Sequence, residues 1–143
     1  MSDAFHFRHD VRVRYAETDA QAVVYHANYL VYAEVGRIEW FRAATASLGN
    51  WMREAPYDIM LVHAACDFRA PARFDDQLTV WARLASVGNS SFTMAYRITR
   101  GETVVCEAKT IHVTVDRQTR AKIPLPADMR QFVEAFERSL APA

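Results

Sequence analysis

Apolar side chains follow two different spacings along this chain, and the change in spacing separates a helical part from a strand-rich part. Residues 5–14 alternate loosely between apolar and polar side chains, and residues 11–14 predict a strand with one exposed face. Residues 27–48 contain no proline, and their few polar side chains are spread around a helical wheel. They predict one long buried helix, about 30 Å in length, that ends at Gly49 and Asn50.

Four strand-like segments follow, and turn-forming residues separate them. They span residues 57–68, 77–85, 92–99 and 103–115, with a tight turn expected at residues 100–102. Apolar residues at helical spacing from Ala127 to Leu140 predict an amphipathic C-terminal helix. This order predicts an α+β fold for a single domain over residues 1–143, with an antiparallel sheet of about five strands around the long helix.

Charge and composition narrow the classes of function. The chain has 17 basic and 17 acidic residues, so it lacks the basic excess of a nucleic-acid-binding protein. It has no apolar stretch of about 20 residues and no apolar signal segment at its start, so we expect a cytoplasmic protein without a membrane span. Cys66 and Cys106 have no metal-ligand spacing, and we interpret both as reduced core residues.

The segment from Tyr15 to Tyr29, YAETDAQAVVYHANY, carries the strongest chemical signal. Asp19 lies in a predicted loop, seven positions before His26, and the long helix follows at once. A helix N-terminus offers free backbone N–H groups and the positive end of a dipole, which stabilise an oxyanion. The pattern therefore predicts a hydrolytic site, although an aspartate in such a loop also commonly forms a turn or caps a helix.

The same segment resembles the hot-dog fold acyl-CoA thioesterases, and most closely the 4-hydroxybenzoyl-CoA thioesterase and YbgC-like branch. Asp19 matches the family's acidic loop, residues 23–29 match its Val-Val-Tyr-His-x-x-Tyr motif, and residues 67–76, DFRAPARFDD, match a second family segment. The resemblance implies hydrolysis of acyl-CoA thioesters, with CoA as part of the substrate and without a metal or redox cofactor. The chain departs from the family at Ala22, where glycine is usual, and at residues 88–91, which lack the arginines that some members place against CoA phosphates.

The resemblance implies a role for each residue around this loop. Asp19 is expected to act as nucleophile or as general base, and the residues alone do not separate these two routes. The backbone N–H groups of His26 and Ala27 are expected to bind the thioester oxygen, while the His26 side chain is either catalytic or structural. Tyr25 and Tyr29 flank the site as substrate-binding candidates. We expect Tyr29, like Tyr15 and Tyr32, to pack in the core.

Basic residues after the first motif are candidates for the CoA phosphates, since arginine suits both the diphosphate and the ribose phosphate. These candidates are Arg69, Arg73, Arg120 and Lys122, and the alternative is that they are ordinary surface charges. In the family the acyl site lies between two subunits, so we expect a homodimer or homotetramer with active sites at the subunit interface. Pairing of edge strands would join two sheets into one.

Two other functions remain open on the sequence. One is a non-catalytic module that binds acyl-CoA or acyl-carrier protein, which the departures at Ala22 and residues 88–91 allow. The other is a hydroxyacyl-thioester dehydratase on the same fold, which is less favoured because that chemistry usually places its histidine and acidic residue within the central helix. The sequence does not identify the acyl group. His6 and His9 have a metal-like spacing, but no further ligands complete a metal site.

Overall fold

The computed structural model describes residues 4–142, which form five strands and three α-helices. The elements are β1 (Phe7–Arg12), α1 (Asn28–Ala44), α2 (Leu48–Glu54), β2 (Tyr57–Phe68), β3 (Gln77–Val87), β4 (Ser91–Arg100), β5 (Thr103–Asp116) and α3 (Ala127–Leu140). A short 3₁₀ turn, Tyr15–Glu17, lies between β1 and α1. The four long strands and the C-terminal helix agree with the prediction. The first strand lies earlier than residues 11–14, because residues 7–12 pair with residues 77–82 of β3.

The strands form one antiparallel sheet in the order β1-β3-β4-β5-β2. Alternate residues of β3 and β4 are buried on one face of the sheet, which packs against α1. The helix approaches the sheet closely at Gly36 of α1, where an added Cβ would come within 2.5 Å of Val80 Cγ1. A glycine is needed at this position because any larger side chain would push the helix away from the sheet. The predicted wrapping of a sheet around a buried helix is therefore present.

The prediction of one helix over residues 27–48 holds as far as Ala44, and its predicted end was wrong. Helix α1 ends at Ala44, Thr45 adopts an extended backbone, and α2 begins at Leu48. Gly49 and Asn50, predicted to end the helix, lie inside α2. The break lets Trp51 fold back onto Phe41, with ring centroids 5.7 Å apart and nearly parallel planes. Tertiary packing of this tryptophan thus overrides the continuous helical pattern.

The two cysteines have different environments. Cys106 is buried in the core, and burial raises the pKa of its thiol to about 12. Cys66 is half-buried on β2. Both are free thiols, as the sequence predicted, although only Cys106 is a full core residue. Within residues 4–142, no helix has the length and apolar character needed to cross a membrane.

Candidate active site

The Asp19 loop, residues 18–24, is a short closed loop between β1 and α1. Thr18 and Val24 pair as an isolated antiparallel bridge, so the loop leaves and returns at the same point. Inside it the Asp19 N–H donates to the Val23 carbonyl at 2.9 Å, and the Ala22 N–H donates to the Asp19 carbonyl at 2.9 Å. The Val24 N–H then donates to the Ala72 carbonyl at 2.8 Å, which ties the loop to the segment after β2.

Ala22 gives a structural reason for the glycine that the family usually has at this position. Its φ is +63°, in the left-handed region where an L-residue with a Cβ is disfavoured by about 1–2 kcal/mol. The backbone hydrogen bonds of Asp19 hold Ala22 in this conformation. The alanine therefore adopts the left-handed conformation at some cost in stability, and the Asp19 loop closes with its backbone hydrogen bonds formed.

Asp19 itself is half-buried, and one of its carboxylate oxygens has a defined partner. The Gln21 N–H donates to Asp19 Oδ1 at 2.8 Å, which is the turn-forming interaction expected of a loop aspartate. Among the described residues, Oδ2 accepts no hydrogen bond. A carboxylate has two oxygens, so the turn fixes the orientation of the side chain while one oxygen stays available for chemistry.

The start of α1 presents two free backbone donors. The N–H groups of Asn28, Tyr29 and Leu30 already donate to the carbonyls of residues 25, 26 and 27. In the described part of the chain, the N–H groups of His26 and Ala27 have no acceptor. These are the two groups that the sequence predicted for oxyanion binding, and both belong to exposed residues just before the first turn of α1.

A buried glutamate that the sequence analysis did not single out joins this loop to the helix. The Glu17 carboxylate is 7% exposed and accepts from the Arg14 N–H at 2.8 Å, from Arg14 Nε at 3.0 Å and from the Tyr32 hydroxyl at 2.9 Å. Its carbonyl accepts from the Tyr25 N–H and from Asn28 Nδ2, both at 2.9 Å. We call this set the Glu17 clamp.

Electrostatics in the clamp favour an ionised carboxylate. Burial raises the pKa of Glu17, but the hydrogen bonds from the Arg14 N–H, Tyr32 and the Arg14 guanidinium outweigh it, so the pKa lies below its ordinary value. Burial and the adjacent Glu17 raise the pKa of Tyr32. The sequence offered no clear signal for this pair, because Arg14 lies in the predicted strand and Glu17 follows it in a loop, whereas a three-residue spacing indicates an ion pair on a helix.

An open cavity of about 320 Å³ lies beside the start of α1, and we call it the His26 cavity. Its walls include His26, Tyr29, Phe68 and Arg69. The His26 ring lies 4.4 Å from the Tyr25 ring and 6.2 Å from the Phe68 ring, measured between centroids. The imidazole therefore packs among aromatic groups, and the described contacts do not join it to the Asp19 carboxylate.

The tyrosines divide between core and surface. Tyr29 and Tyr32 are buried as predicted, and their rings meet edge to face at 5.9 Å. Burial raises the pKa of Tyr29. The prediction for Tyr15 was wrong, because this side chain is 77% exposed and contacts Phe74 on the outside of the 3₁₀ turn. Tyr25 is half-exposed beside His26, where a substrate could contact it.

The basic candidates for the CoA phosphates do not gather at the His26 cavity of one chain. Arg69 lines it, and Arg73 lies exposed nearby in the loop after β2. Arg120 and Lys122 follow β5, and the Arg120 guanidinium is hydrogen-bonded to Asp58 at the opposite end of β2. Ten residues of strand separate Asp58 from Phe68, which corresponds to about 33 Å. Arg120 therefore cannot serve the His26 cavity of its own chain.

The turn at residues 88–91 does have an arginine beside it, although none within it. Arg130 of α3 donates from Nη2 to the Gly88 carbonyl at 2.7 Å. This cation is held by backbone carbonyls and does not extend freely toward solvent. Among residues 4–142, no group of three or more His, Cys, Asp or Glu side chains is placed to hold a metal ion.

Comparison with known proteins identifies the family of this chain. The sequence profile described as the thioesterase-like superfamily matches residues 13–133, which include the Asp19 loop, α1 and all of the sheet except β1. The chain belongs to this superfamily. A 1,4-dihydroxy-2-naphthoyl-CoA hydrolase from Nostoc punctiforme is 32% identical over 132 residues, or 92% of this chain and 89% of that protein. The acyl-CoA thioester hydrolase YbgC of Escherichia coli is 36% identical over 111 residues, or 77% of this chain and 82% of that protein.

Solved structures agree with the sequence comparison. A 1,4-dihydroxy-2-naphthoyl-CoA thioesterase from Synechocystis superposes with a TM-score of 0.80 at 29% identity, covering 89% of this chain and 94% of that one. A thioesterase from Thermus thermophilus, solved with coenzyme A and Zn, has a TM-score of 0.81 at 24% identity, and covers 99% of this chain and 100% of that one. The predicted hot-dog fold and the predicted class of enzyme, a thioesterase, are confirmed. The roles of individual residues remain predictions.

Proposed function

We propose that this thioesterase hydrolyses acyl-CoA with Asp19 as the group that attacks the thioester or activates water. The observation that carries the proposal is the position of Asp19. Its carboxylate is fixed through Oδ1 by the Gln21 N–H, in a loop that closes directly before the two unoccupied N–H groups at the start of α1. A nucleophile or base beside an oxyanion-binding pair is the minimum that thioester hydrolysis requires.

The chemistry follows either of two routes through the same groups. In one, Asp19 attacks the carbonyl carbon, the C–S bond breaks and water then hydrolyses the mixed anhydride. In the other, Asp19 takes a proton from water, whose oxygen adds to the carbonyl before the CoA thiolate leaves. In both, the N–H groups of His26 and Ala27 hold the oxyanion, which the positive end of α1 also stabilises. The products are a free acid and CoA.

Tyr25 and Tyr29 belong to the acyl-binding side of this site, beside the His26 cavity. Arg69 lines the same cavity, and Arg73 is exposed in the loop that follows β2. These two arginines are the proposed contacts for the CoA phosphates. The relatives named above act on CoA thioesters, and the one from Nostoc punctiforme acts on an aromatic one. Aromatic and aliphatic acyl-CoAs therefore both belong in the substrate panel.

The functional unit that we propose is a homodimer formed by pairing β2 with β2 of a second copy. Strand β2 is at the edge of the sheet and pairs only with β5 on its other side. The middle and the C-terminal end of this strand carry exposed apolar residues. Leu61, Val62 and Phe68 are each more than 50% exposed. An unpaired, apolar edge of this length is a pairing surface. Two such dimers could associate further into a tetramer.

The test is release of free thiol from a panel of acyl-CoAs, which should contain acetyl, hexanoyl, palmitoyl, benzoyl, hydroxybenzoyl and hydroxynaphthoyl groups. For Asp19→Asn, we expect kcat to fall by about 10²–10⁴-fold, the usual contribution of a catalytic base or nucleophile. The amide can still accept from the Gln21 N–H through its Oδ1, so the loop should keep its conformation. Binding of a non-hydrolysable acyl-CoA thioether should therefore be retained.

Asp128→Asn is the matched control, since Asp128 is an exposed carboxylate in the first turn of α3. It should leave kcat unchanged. Turnover that survives in Asp19→Asn would remove Asp19 from the mechanism. Tight thioether binding without turnover of any acyl-CoA by the wild-type protein would instead identify a non-catalytic binding module.

A further inference from the structure

One wall of the His26 cavity is formed by the chain that leaves the end of β2. Residues 69–72 form this wall, and we call them the wall segment. Three of them line the cavity itself, namely Arg69, Ala70 and Pro71. The wall segment belongs to neither a helix nor a strand. Its position therefore depends on contacts with other parts of the chain, and these contacts also reach the groups proposed to act on the thioester.

Backbone hydrogen bonds fix both ends of the wall segment. At its start, two successive N–H groups donate to the Val105 carbonyl of β5, at 2.9 and 3.3 Å. Just after its end, the Arg73 N–H donates to Asp76 Oδ2 at 2.9 Å. Pro71 and Ala72 lie between these fixed points, and their carbonyl groups are held by other parts of the chain.

Ala72 joins the wall segment to both parts of the candidate active site. Its carbonyl accepts from the Val24 N–H at 2.8 Å, at the point where the Asp19 loop closes. Its backbone is also hydrogen-bonded to the hydroxyl of Tyr29, which lies in the first turn of α1. Ala72 is completely buried and packs in the same core cluster as Val24 and Tyr29. One residue of the wall segment therefore contacts both the Asp19 loop and the start of the helix.

Arg100, the last residue of β4, reaches across to the middle of the wall segment. Its Nη1 donates to the Pro71 carbonyl and lies 3.9 Å from Asp76 Oδ2. Burial raises the pKa of Tyr29, and the nearby positive charge of Arg100 opposes that rise. The guanidinium is thus placed among the wall segment, the residue that fixes its far end and the first turn of α1.

The orientation of the Pro71 carbonyl also determines the position of Ala72. A peptide unit is planar, so the Pro71 carbonyl and the Ala72 N–H move as one rigid group. The proline ring already fixes φ on the N-terminal side of this group. Rotation about ψ of Pro71 is the freedom that remains, and the hydrogen bond from Arg100 removes it. Without that donor, the peptide unit can turn and carry Ala72 away from both Val24 and the Tyr29 hydroxyl.

We propose that Arg100 is a positioning residue for thioester hydrolysis, because it fixes the wall segment that holds the Asp19 loop against the start of α1. The inference rests on the proposed function, in which Asp19 acts together with the N–H groups of His26 and Ala27. Arg100 does not line the His26 cavity, so its effect is on the geometry of these groups. The wall segment is a second connection between the loop and the helix, in addition to the Glu17 clamp.

The kinetic test compares two substitutions of Arg100. Arg100→Met removes the donor and the charge but keeps a long side chain. We expect kcat to fall by about 10–10²-fold, while KM and the Kd of a non-hydrolysable acyl-CoA thioether change by less than about twofold, since the binding groups remain. Arg100→Lys still presents a cationic N–H donor to the Pro71 carbonyl, so it should recover most of kcat.

Arg130→Met is the matched control for the loss of an arginine that holds a loop carbonyl. Arg130 donates to the Gly88 carbonyl at 2.7 Å, and its side chain is 36% exposed, as is that of Arg100. The turn that it holds lies before the first residue of β4, whereas Arg100 is the last residue of that strand. Arg130→Met should therefore leave kcat unchanged.

Amide hydrogen exchange at Val24 tests the same coupling without turnover. The Val24 N–H donates to the Ala72 carbonyl, so it should exchange about fivefold to tenfold faster in Arg100→Met, the effect of weakening one hydrogen bond. It should exchange at the wild-type rate in Arg130→Met. Faster exchange at every amide of Arg100→Met would reveal a general loss of stability and would overturn the positioning role.

A kcat of Arg100→Met equal to that of the wild type would also overturn the inference, and so would equal falls in Arg100→Met and Arg130→Met. Absence of turnover by the wild-type protein on every acyl-CoA would instead be a failure of the proposed function. Exchange at Val24 would then still decide whether Arg100 holds the Asp19 loop. The two failures are therefore distinguishable.

Discussion

At the scale of single residues, Glu17 connects the Asp19 loop to α1 through more hydrogen bonds than Asp19 does. Its carboxylate holds Arg14 and Tyr32, and its carbonyl holds Tyr25 and Asn28. Each partner lies either just before the Asp19 loop or at the start of α1. We therefore predict that Glu17 is a positioning residue, which sets the distance between Asp19 and the N–H groups of His26 and Ala27.

Replacing Glu17 with glutamine should separate positioning from simple stability. The amide can accept from Tyr32 but places a donor against Arg14 Nε, so we expect a loss of about 1–3 kcal/mol in the free energy of unfolding. Because the loop shifts relative to the oxyanion donors, kcat should fall while KM for acyl-CoA changes little. Urea unfolding and steady-state kinetics measure the two effects on the same preparation.

The pH dependence gives a second signature of this residue. The folded protein favours ionised Glu17, so the unfolded chain binds more protons near the ordinary pKa of about 4.3. The stabilisation from Glu17 is complete above that pH and is lost as the pH falls through the lower pKa of the folded state. Glu17→Gln should reduce this acid sensitivity. Glu107→Gln is the control, because Glu107 is half-exposed and its nearest ion pairs are 3.9–4.0 Å long.

An equal kcat in wild type and Glu17→Gln would contradict the positioning role.

At the scale of secondary-structure elements, the sequence predicted the features that depend on the local spacing of apolar residues or on the family motif. The β strands, α3 and the position of the Asp19 loop before α1 follow from alternation, helical spacing and the family motif. The break between α1 and α2 could not be predicted, because it depends on Trp51 packing against Phe41 across a turn. Tyr15 was misplaced for a related reason, since a 3₁₀ turn directs it outward. The contacts of the Glu17 clamp depend on how the chain folds back between residues 17 and 32, and no local pattern reports them.

Two glycines in helices should respond oppositely to alanine. Gly36→Ala would place a Cβ 2.5 Å from Val80 Cγ1, so α1 must move off the sheet, and we expect a destabilisation of about 1–3 kcal/mol. Gly49 of α2 has only the flexible end of Arg53 nearby, at 3.3 Å. Gly49→Ala should stabilise by up to about 1 kcal/mol through helix propensity. Thermal and urea unfolding of both variants measure the difference, and a Gly36→Ala protein as stable as the wild type would show that α1 does not need this close approach.

At the scale of the whole molecule, the position of β2 connects assembly with activity. Along the same strand, Phe68 lines the His26 cavity, and Ile59 and Leu61 line a second cavity of about 150 Å³. In the proposed dimer, the Phe68 end of β2 in one chain would lie beside the start of β2 in the other chain. If pairing at β2 completes each active site, the oligomeric state and the rate of turnover must depend on the same surface.

Val62 offers a test of this dependence, because it is 58% exposed in the middle of β2 and lines neither cavity. We expect the wild type to have at least twice the 16.3 kDa mass of one chain by light scattering. Val62→Lys should place two ammonium groups near the two-fold axis, shift the protein toward the monomer and lower kcat/KM in proportion to the dimer lost. Phe74→Lys, at an equally exposed apolar position outside β2, should change neither property. A monomeric wild type with full turnover would show that one chain holds a complete site, and both the proposed dimer and the prediction of active sites at its interface would then be wrong.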